Sequence, residues 1–104
     1  MKKLKNIHPG EVLTMEFLKP MNISAYMLSK QTGLSQTRLS QIIAGKRSIT
    51  AETALKLGKF FDAPAEFWMN LQTLYDIEES LKLHNKELKA IVPYYNLNHN
   101  HKAA

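Results

Sequence analysis

Four polar side chains that can hydrogen-bond to the edges of nucleic-acid bases lie close together in the chain: Gln36, Thr37, Arg38 and Gln41. Arginine can bind guanine through two hydrogen bonds, glutamine can do so with adenine, and the threonine methyl group can contact thymine in the major groove. The apolar residues among and after them are Leu39, Ile42 and Ile43, whose spacing of three and four predicts one buried helical stripe. The four polar side chains then face outward as candidate base readers. The alternative is a solvated helix face with no partner.

A loop of the type that holds phosphate follows this segment. Gly45-Lys46-Arg47-Ser48 combines two cations with small or permissive residues and is expected to offer free backbone amides. Phosphate contacts of this kind fix the register of a protein on DNA without reading sequence, and they make affinity depend on salt. Lys56 and Lys59 either extend this basic field or are simply solvated.

The charge of the chain is concentrated in its first part. Through Phe61 there are ten Lys and Arg against three acids, which is +7, and from Asp62 onward the balance is −2. A basic half beside a mildly acidic half predicts that one part meets a polyanion while the other has a different role, such as pairing with protein. A basic surface without a partner is the alternative reading.

Other chemistries find little support in the residues. The absence of cysteine excludes disulfides, thiolate metal sites and cysteine nucleophiles, and it is compatible with the cytoplasm as the expected compartment. His99 and His101 lack a third ligand, so no metal site is predicted. We find no Gly-rich phosphate loop, no nucleophile beside a fixed base and no apolar run that could cross a membrane. We therefore expect no enzyme, no cofactor and no membrane association.

Apolar spacing and capping residues predict helices throughout, with no strand. Met15, Met21, Met27 and Met69 are expected to fill the core. The first predicted helix begins at Pro9, and Pro20 stops it near Leu18. The others run from after the Ser24 cap to Thr32, from Gln36 to Ala44, from after the Thr50 cap to about Phe61, and from Pro64 to about His84.

The second and third helices form a helix-turn-helix pattern over residues 25–44. Gly33 supplies the positive φ that the sharp turn needs, Leu34 is buried within the turn, and Ser35 caps the following helix. This arrangement projects the third helix, which carries the candidate base readers.

The fifth helix carries more apolar residues than one small domain can cover, so we expect it to form a dimer interface. The candidate interface residues are Leu71, Leu74, Tyr75 and Leu81. Two helix-turn-helix units related by a two-fold axis reach half-sites about 34 Å apart. We divide the chain into a domain over residues 1–84 and a C-terminal extension over 85–104, which is expected to be irregular.

Three motifs in order resemble a known family: HPGE at 8–11, GKRSITAETAL at 45–55, and FWMNLQ at 67–72 followed by Tyr75 and Asp76. Over about residues 7–83 the chain resembles the HigA-type antitoxins, also described as virulence-associated protein I or antidote-protein relatives. These belong to the lambda-repressor-like, Xre-type helix-turn-helix class. The family often has Asn and Glu where this chain has Ser40 and Gln41, so the resemblance leaves the operator sequence open.

The resemblance implies an all-α, five-helix lambda-repressor-like domain with an extended C-terminal helix. It implies a homodimer that binds its own operator in double-stranded DNA and neutralises a HigB-like toxin, a ribosome-dependent endoribonuclease. It places base contacts at Gln36, Thr37, Arg38 and Gln41, and phosphate contacts at Ser24, Ser35, Lys46 and Arg47. Asp76, Glu78 and Glu79 are a candidate complement to a basic toxin. A regulator without a toxin, a helical protein-interaction module that does not bind DNA, and RNA binding remain the alternatives.

Overall fold

The structure is a computed structural model that describes residues 5–101, with side chains described through residue 97. All regular structure in this range is helical, which confirms the all-α prediction. None of the described helices is long and apolar enough to span a membrane. The helices are α1 over residues 9–21, α2 Ala25–Thr32, α3 Gln36–Ile43, α4 Ala51–Phe61, α5 Ala65–Ala90 and α6 Tyr94–His101.

Helix α1 runs through Pro20, and the prediction that it ends near Leu18 is wrong. Its middle, Leu13–Leu18, is π-helical, and the N–H of Lys19 bonds to the carbonyl oxygen of Thr14 five residues earlier. In an α-helix the proline ring collides with the carbonyl four residues before it. A π turn widens the helix at that point and relieves the collision. The helix then ends at Asn22, which is left-handed with φ 55°.

The predicted caps of the next three helices are confirmed. The hydroxyl oxygens of Ser24, Ser35 and Thr50 each accept a hydrogen bond from the backbone N–H three residues later, at 3.0, 3.0 and 3.3 Å. Gly33 is left-handed with φ 80° and ψ 1°, as the sharp turn between α2 and α3 requires. These local signals place α3 at a defined angle to α2.

The core brings every helix from α1 to α5 together. Trp68 of α5 is fully buried, with its ring 4.9 Å from that of Phe17 between centroids. The start of α1 lies directly against the end of α3, where a Cβ added to Gly10 would be 1.9 Å from the carbonyl oxygen of Ile42. The buried apolar side chains are Leu13, Leu18, Leu28, Leu34, Leu39, Ile42, Ile49, Ala54, Leu57 and Trp68.

The methionines occupy this core less than predicted. Met15, Met21 and Met27 are exposed on the surface, whereas Met69 packs against the core. Met21 lies in the last turn of α1, which continues past Leu18.

The C-terminal extension is helical over most of its described residues, at 85–90 and 94–101, so the prediction of an irregular tail is wrong there. Helix α5 continues six residues beyond His84, which has non-helical φ −115° and ψ 18° and marks a kink. After an extended Ile91, α6 begins at Tyr94, and the N–H of Leu97 bonds to the carbonyl oxygen of Pro93. Proline is well suited to the start of a helix, because its fixed φ is helical and its missing N–H would have no partner there. The kink coincides with the domain boundary at residue 84, which stays a prediction.

Candidate nucleic-acid interface

Helix α3 presents a polar face to solvent. Gln36, Thr37, Ser40 and Gln41 are exposed and line one shallow, open depression, while Leu39 on the opposite face is fully buried. Three of the four predicted base readers therefore share one surface. An exposed helix of this kind can enter the major groove, where base edges accept and donate hydrogen bonds.

Arg38, the fourth predicted base reader, is held in an ion pair. Its guanidinium lies 3.1 Å from Oε1 of Glu52 on α4, and Nζ of Lys56 lies 3.1 Å from the other carboxylate oxygen. Hydrogen bonds from Lys56 and then from Arg38 lower the pKa of Glu52. Arg38 is thus directed toward α4 at the edge of the polar face, with Nη1 engaged by Glu52.

Gln41 is coupled to the loop that follows α3. Its Oε1 accepts a hydrogen bond of 2.9 Å from Nη1 of Arg47. The amide NH₂ group of Gln41 is then the part left for a base edge. As a donor, it matches the acceptors of the major groove, such as guanine O6 and N7 or thymine O4.

The loop after α3 is held by a helix-ending motif. Gly45 is left-handed with φ 77°, its N–H bonds to the carbonyl oxygen of Ile42 at 3.0 Å, and the N–H of Lys46 bonds to that of Gln41 at 2.8 Å. This is the Schellman arrangement, in which the last helical carbonyls find partners. The N–H groups of Gly45 and Lys46 are therefore engaged, and the prediction that the loop offers them to phosphate is wrong. The side chains of Lys46 and Arg47 are exposed and carry the positive charge of the loop.

Ser24 and Ser35 stand exposed at the starts of α2 and α3. Their hydroxyl oxygens accept the capping hydrogen bonds. A hydroxyl has one donor and two acceptor positions, so each serine keeps its O–H for a phosphate oxygen.

Sequence reasoning missed the residues that hold the interface in place. Gln72 of α5 is buried, and its Oε1 accepts a hydrogen bond of 2.7 Å from the N–H of Ile49, which lies just after the loop. Its NH₂ group donates to Asp76 at 2.9 Å. An amide among the apolar residues of α5 was the available signal. Glu52 and His8 enter the sequence analysis only as members of the motifs GKRSITAETAL and HPGE, with no role of their own.

The predicted dimer residues fall into two groups. Leu74 and Leu81 are exposed, at 66% and 44%. Leu71 packs against the core, and the Tyr75 ring lies 4.8 Å from that of His8 in an edge-on contact. Of these four residues, Leu74 and Leu81 are the exposed ones.

Within the described residues, no three His, Asp or Glu side chains come together as a metal site would require. The side chains of His99 and His101 lie outside the described part.

The helix-turn-helix family model matches residues 15–68, which is more than half of the chain. The match extends from the π-helical part of α1 to Trp68 of α5, so it includes the whole polar face and the loop. Virulence-associated protein I of Dichelobacter nodosus is 47% identical over 72 residues, which is 69% of this chain and 67% of that protein.

Two solved structures share the fold. The Coxiella burnetii addiction module antidote protein of the HigA family has a TM-score of 0.82 and 44% identity, and the match covers 88% of this chain and all of that one. The antitoxin HigA of Pseudomonas aeruginosa, solved with the higBA promoter, has a TM-score of 0.82 and 37% identity over 86% of this chain and 98% of its own. This confirms the five-helix repressor architecture for the domain. The chain belongs to the helix-turn-helix family, among the relatives named HigA antitoxins and virulence-associated proteins.

Proposed function

We propose that this chain is a sequence-specific DNA-binding antitoxin of a type II toxin–antitoxin system. It acts in the cytoplasm as a homodimer, represses its own operon, and neutralises a HigB-like mRNA endonuclease. One observation carries the DNA-binding part: the polar face of α3 stands beside the cationic loop on the fold of an antitoxin solved with promoter DNA. The protein has no role as an enzyme in this proposal.

The interface divides the work of binding between two sets of residues. Gln36, Thr37 and Gln41 face base edges, and Arg38 joins them after leaving Glu52. The phosphate contacts come from the exposed cations and hydroxyls at the rim, which are Lys46, Arg47, Ser24 and Ser35. Base contacts set the sequence preference, and phosphate contacts set the orientation and the salt dependence.

The toxin partner is inferred from the family, and the acidic cluster of Asp76, Glu78 and Glu79 is the candidate surface that would face it. Two members of the acidic cluster already have partners in the chain, since Asp76 accepts from Gln72 and Glu79 accepts from Asn6 and Lys82. The cluster is therefore a weaker candidate for charge pairing with a toxin than its sequence suggests. Co-expression with the product of the neighbouring reading frame tests this part. Rescue of growth and co-purification are expected, and a neighbour that is harmless alone would favour a stand-alone regulator.

Titration of duplex DNA from the protein's own promoter, beside random duplex, tests the DNA-binding part. Affinity for the promoter should exceed affinity for random DNA at both about 50 and about 200 mM salt, and it should fall as salt rises. Equal affinity for both duplexes, or no binding, contradicts the proposal.

Alanine variants separate the two sets of residues. Gln41→Ala or Arg38→Ala should lose about 1 to 3 kcal/mol on the operator and much less on random DNA, because the correct bases alone reward the lost hydrogen bonds. Lys46→Ala should weaken both duplexes alike and lower the salt slope by about one unit, since one fewer counterion is released. If Arg38→Ala behaves like Lys46→Ala, Arg38 contacts phosphate, and base reading belongs to Gln36, Thr37 and Gln41.

A further inference from the structure

His8 lies where three parts of the molecule meet. It is 7% exposed and caps α1, with Nδ1 accepting a hydrogen bond of 2.9 Å from the N–H of Gly10. The edge-on contact with Tyr75 joins it to α5. On another side the ring lies against the loop, because a Cβ added to Gly45 would be 3.7 Å from Cγ of His8.

The backbone of Arg47, in the same loop, also acts on the ring. Nδ1 is an acceptor and carries no proton, so the neutral ring carries its proton on Nε2. Burial has the larger effect and lowers the pKa of His8, while the Arg47 backbone acts in the opposite direction and raises it. One imidazole thus connects the start of α1 to the backbone of the cationic loop.

The neighbouring Gly10 strengthens this connection. It sits so close to the Ile42 carbonyl that a side chain has no room, and Ile42 is also the residue whose carbonyl caps the loop through Gly45. The HPG part of the HPGE motif therefore packs as a unit against the end of α3 and the loop. None of the three residues His8, Pro9 and Gly10 belongs to the polar face of α3.

We infer that His8 is a positioning residue for DNA binding. It holds the Lys46–Arg47 loop in the position from which both cations reach the phosphate backbone. The inference rests on the DNA-binding function proposed above. Loss of the ring removes its packing against Gly45, while α3, its side chains and the hydrogen bond between Gln72 and Ile49 stay in place. Binding then loses phosphate contacts and keeps its preference among bases.

Protonation of His8 breaks the same arrangement. A second ring proton on Nδ1 would face the Gly10 N–H and remove the cap. Burial lowers the pKa of His8, against the opposing effects of the Asp76 and Glu11 carboxylates and the Arg47 backbone. Glu11 is itself paired with Lys5 at 3.2 Å.

The sign of the pH dependence follows from the lowered pKa. As pH falls, His8 is protonated near pH 6.5 in the unfolded chain but only at a lower pH in the folded chain. The stability that neutral His8 provides is therefore present above about pH 6.5 and is lost as pH falls through the folded-state pKa. DNA binding should weaken over the same range.

His8→Asn is the informative variant, because asparagine can still cap α1 but has no ring to reach the loop. His84→Asn is the matched control, since His84 is exposed and bonds only locally to Glu87. His8→Asn should weaken operator and random DNA by the same factor and lower the salt slope by about one to two units. His84→Asn should leave both unchanged. Between pH 7.5 and 5.5 the parent should lose more affinity than His8→Asn.

The outcomes separate the role of His8 from the proposed function. Failure of the parent to bind its promoter contradicts the proposed function, whereas a parent that binds and a His8→Asn variant with an unaltered salt slope overturn only the role of His8. Combining His8→Asn with Lys46→Ala and Arg47→Ala should give less than additive losses, and additive losses also overturn it. If His8→Asn does not fold, NMR titration of the parent replaces it. The amide chemical shift of Arg47 should then change over the same pH range as the ring signals of His8. An Arg47 shift that does not change with the titration of His8 refutes the proposal.

Discussion

Single residues at the interface hold one another before DNA arrives. Arg38 is paired with Glu52, and Arg47 with Gln41, so each arginine already has a partner within the chain. The residue types that can bind bases and phosphates were predictable from the sequence. The pairing of Arg38 with Glu52 was not predictable, because it depends on how α4 packs beside α3. Their separation along the chain does not indicate that packing.

Glu52→Gln should strengthen DNA binding. The change removes a carboxylate that repels phosphate and competes for Arg38, so affinity for the operator should rise. Glu66→Gln makes the same change of net charge at the start of α5, and it should have a smaller effect. Fluorescence anisotropy with labelled operator measures both.

The gain from Glu52→Gln should shrink in an Arg38→Ala background, because only the general repulsion is then left to remove. An undiminished gain in that background would show that Glu52 does not act through Arg38.

Two glycines at helix ends are required for different reasons, and the difference can be measured. Gly10 has an ordinary backbone but no space, with the Ile42 carbonyl oxygen 1.9 Å from an added Cβ. Gly33 has space, with only the flexible Lys56 Nζ at 4.0 Å, but its φ of 80° is unfavourable for other residues. Gly33→Ala should cost about 1 to 2 kcal/mol of unfolding free energy.

Gly10→Ala should cost more than Gly33→Ala, because α1 and α3 must move apart to admit the methyl group. Urea unfolding followed by circular dichroism gives both values. Equal costs, or a smaller cost at Gly10, would mean that the start of α1 is not seated against α3 as described.

The helical elements show which features a sequence reveals. Ser24, Ser35, Thr50 and Gly33 act within three or four residues of themselves, so their caps and turns were predictable. The passage of α1 through Pro20 depends on a π turn, which no local pattern announces. Helix α6 was missed because its Asn and His residues have weak helix propensity.

The whole molecule is more extended than a compact domain of the same length. Its radius of gyration is 19.1 Å, against about 13 Å for a compact domain of 100 residues. The excess comes from the distal part of α5 and from α6, which lie beyond the residues that the family model matches. Exposed apolar side chains line this part, among them Leu74, Ile77, Leu81, Leu83, Leu88, Ile91 and Val92. Such a surface is typical of one that a partner covers, and a second copy supplies the two-fold symmetry that an operator needs.

Leu74→Glu should therefore dissociate the proposed dimer, since it places a charge in the apolar interface. Leu55→Glu is the matched control, because Leu55 is 64% exposed and Leu74 is 66% exposed, but Leu55 lies on α4. Sedimentation at tens of micromolar should show a dimer for the parent and for Leu55→Glu, and a monomer for Leu74→Glu. Two monomers bind the two half-sites of the operator independently, so a higher protein concentration should be needed to occupy the operator. The salt dependence of binding to each half-site should be unchanged. A Leu74→Glu variant that stays dimeric would move the interface away from distal α5. A parent that is strictly monomeric, with operator affinity intact, would remove the dimer altogether.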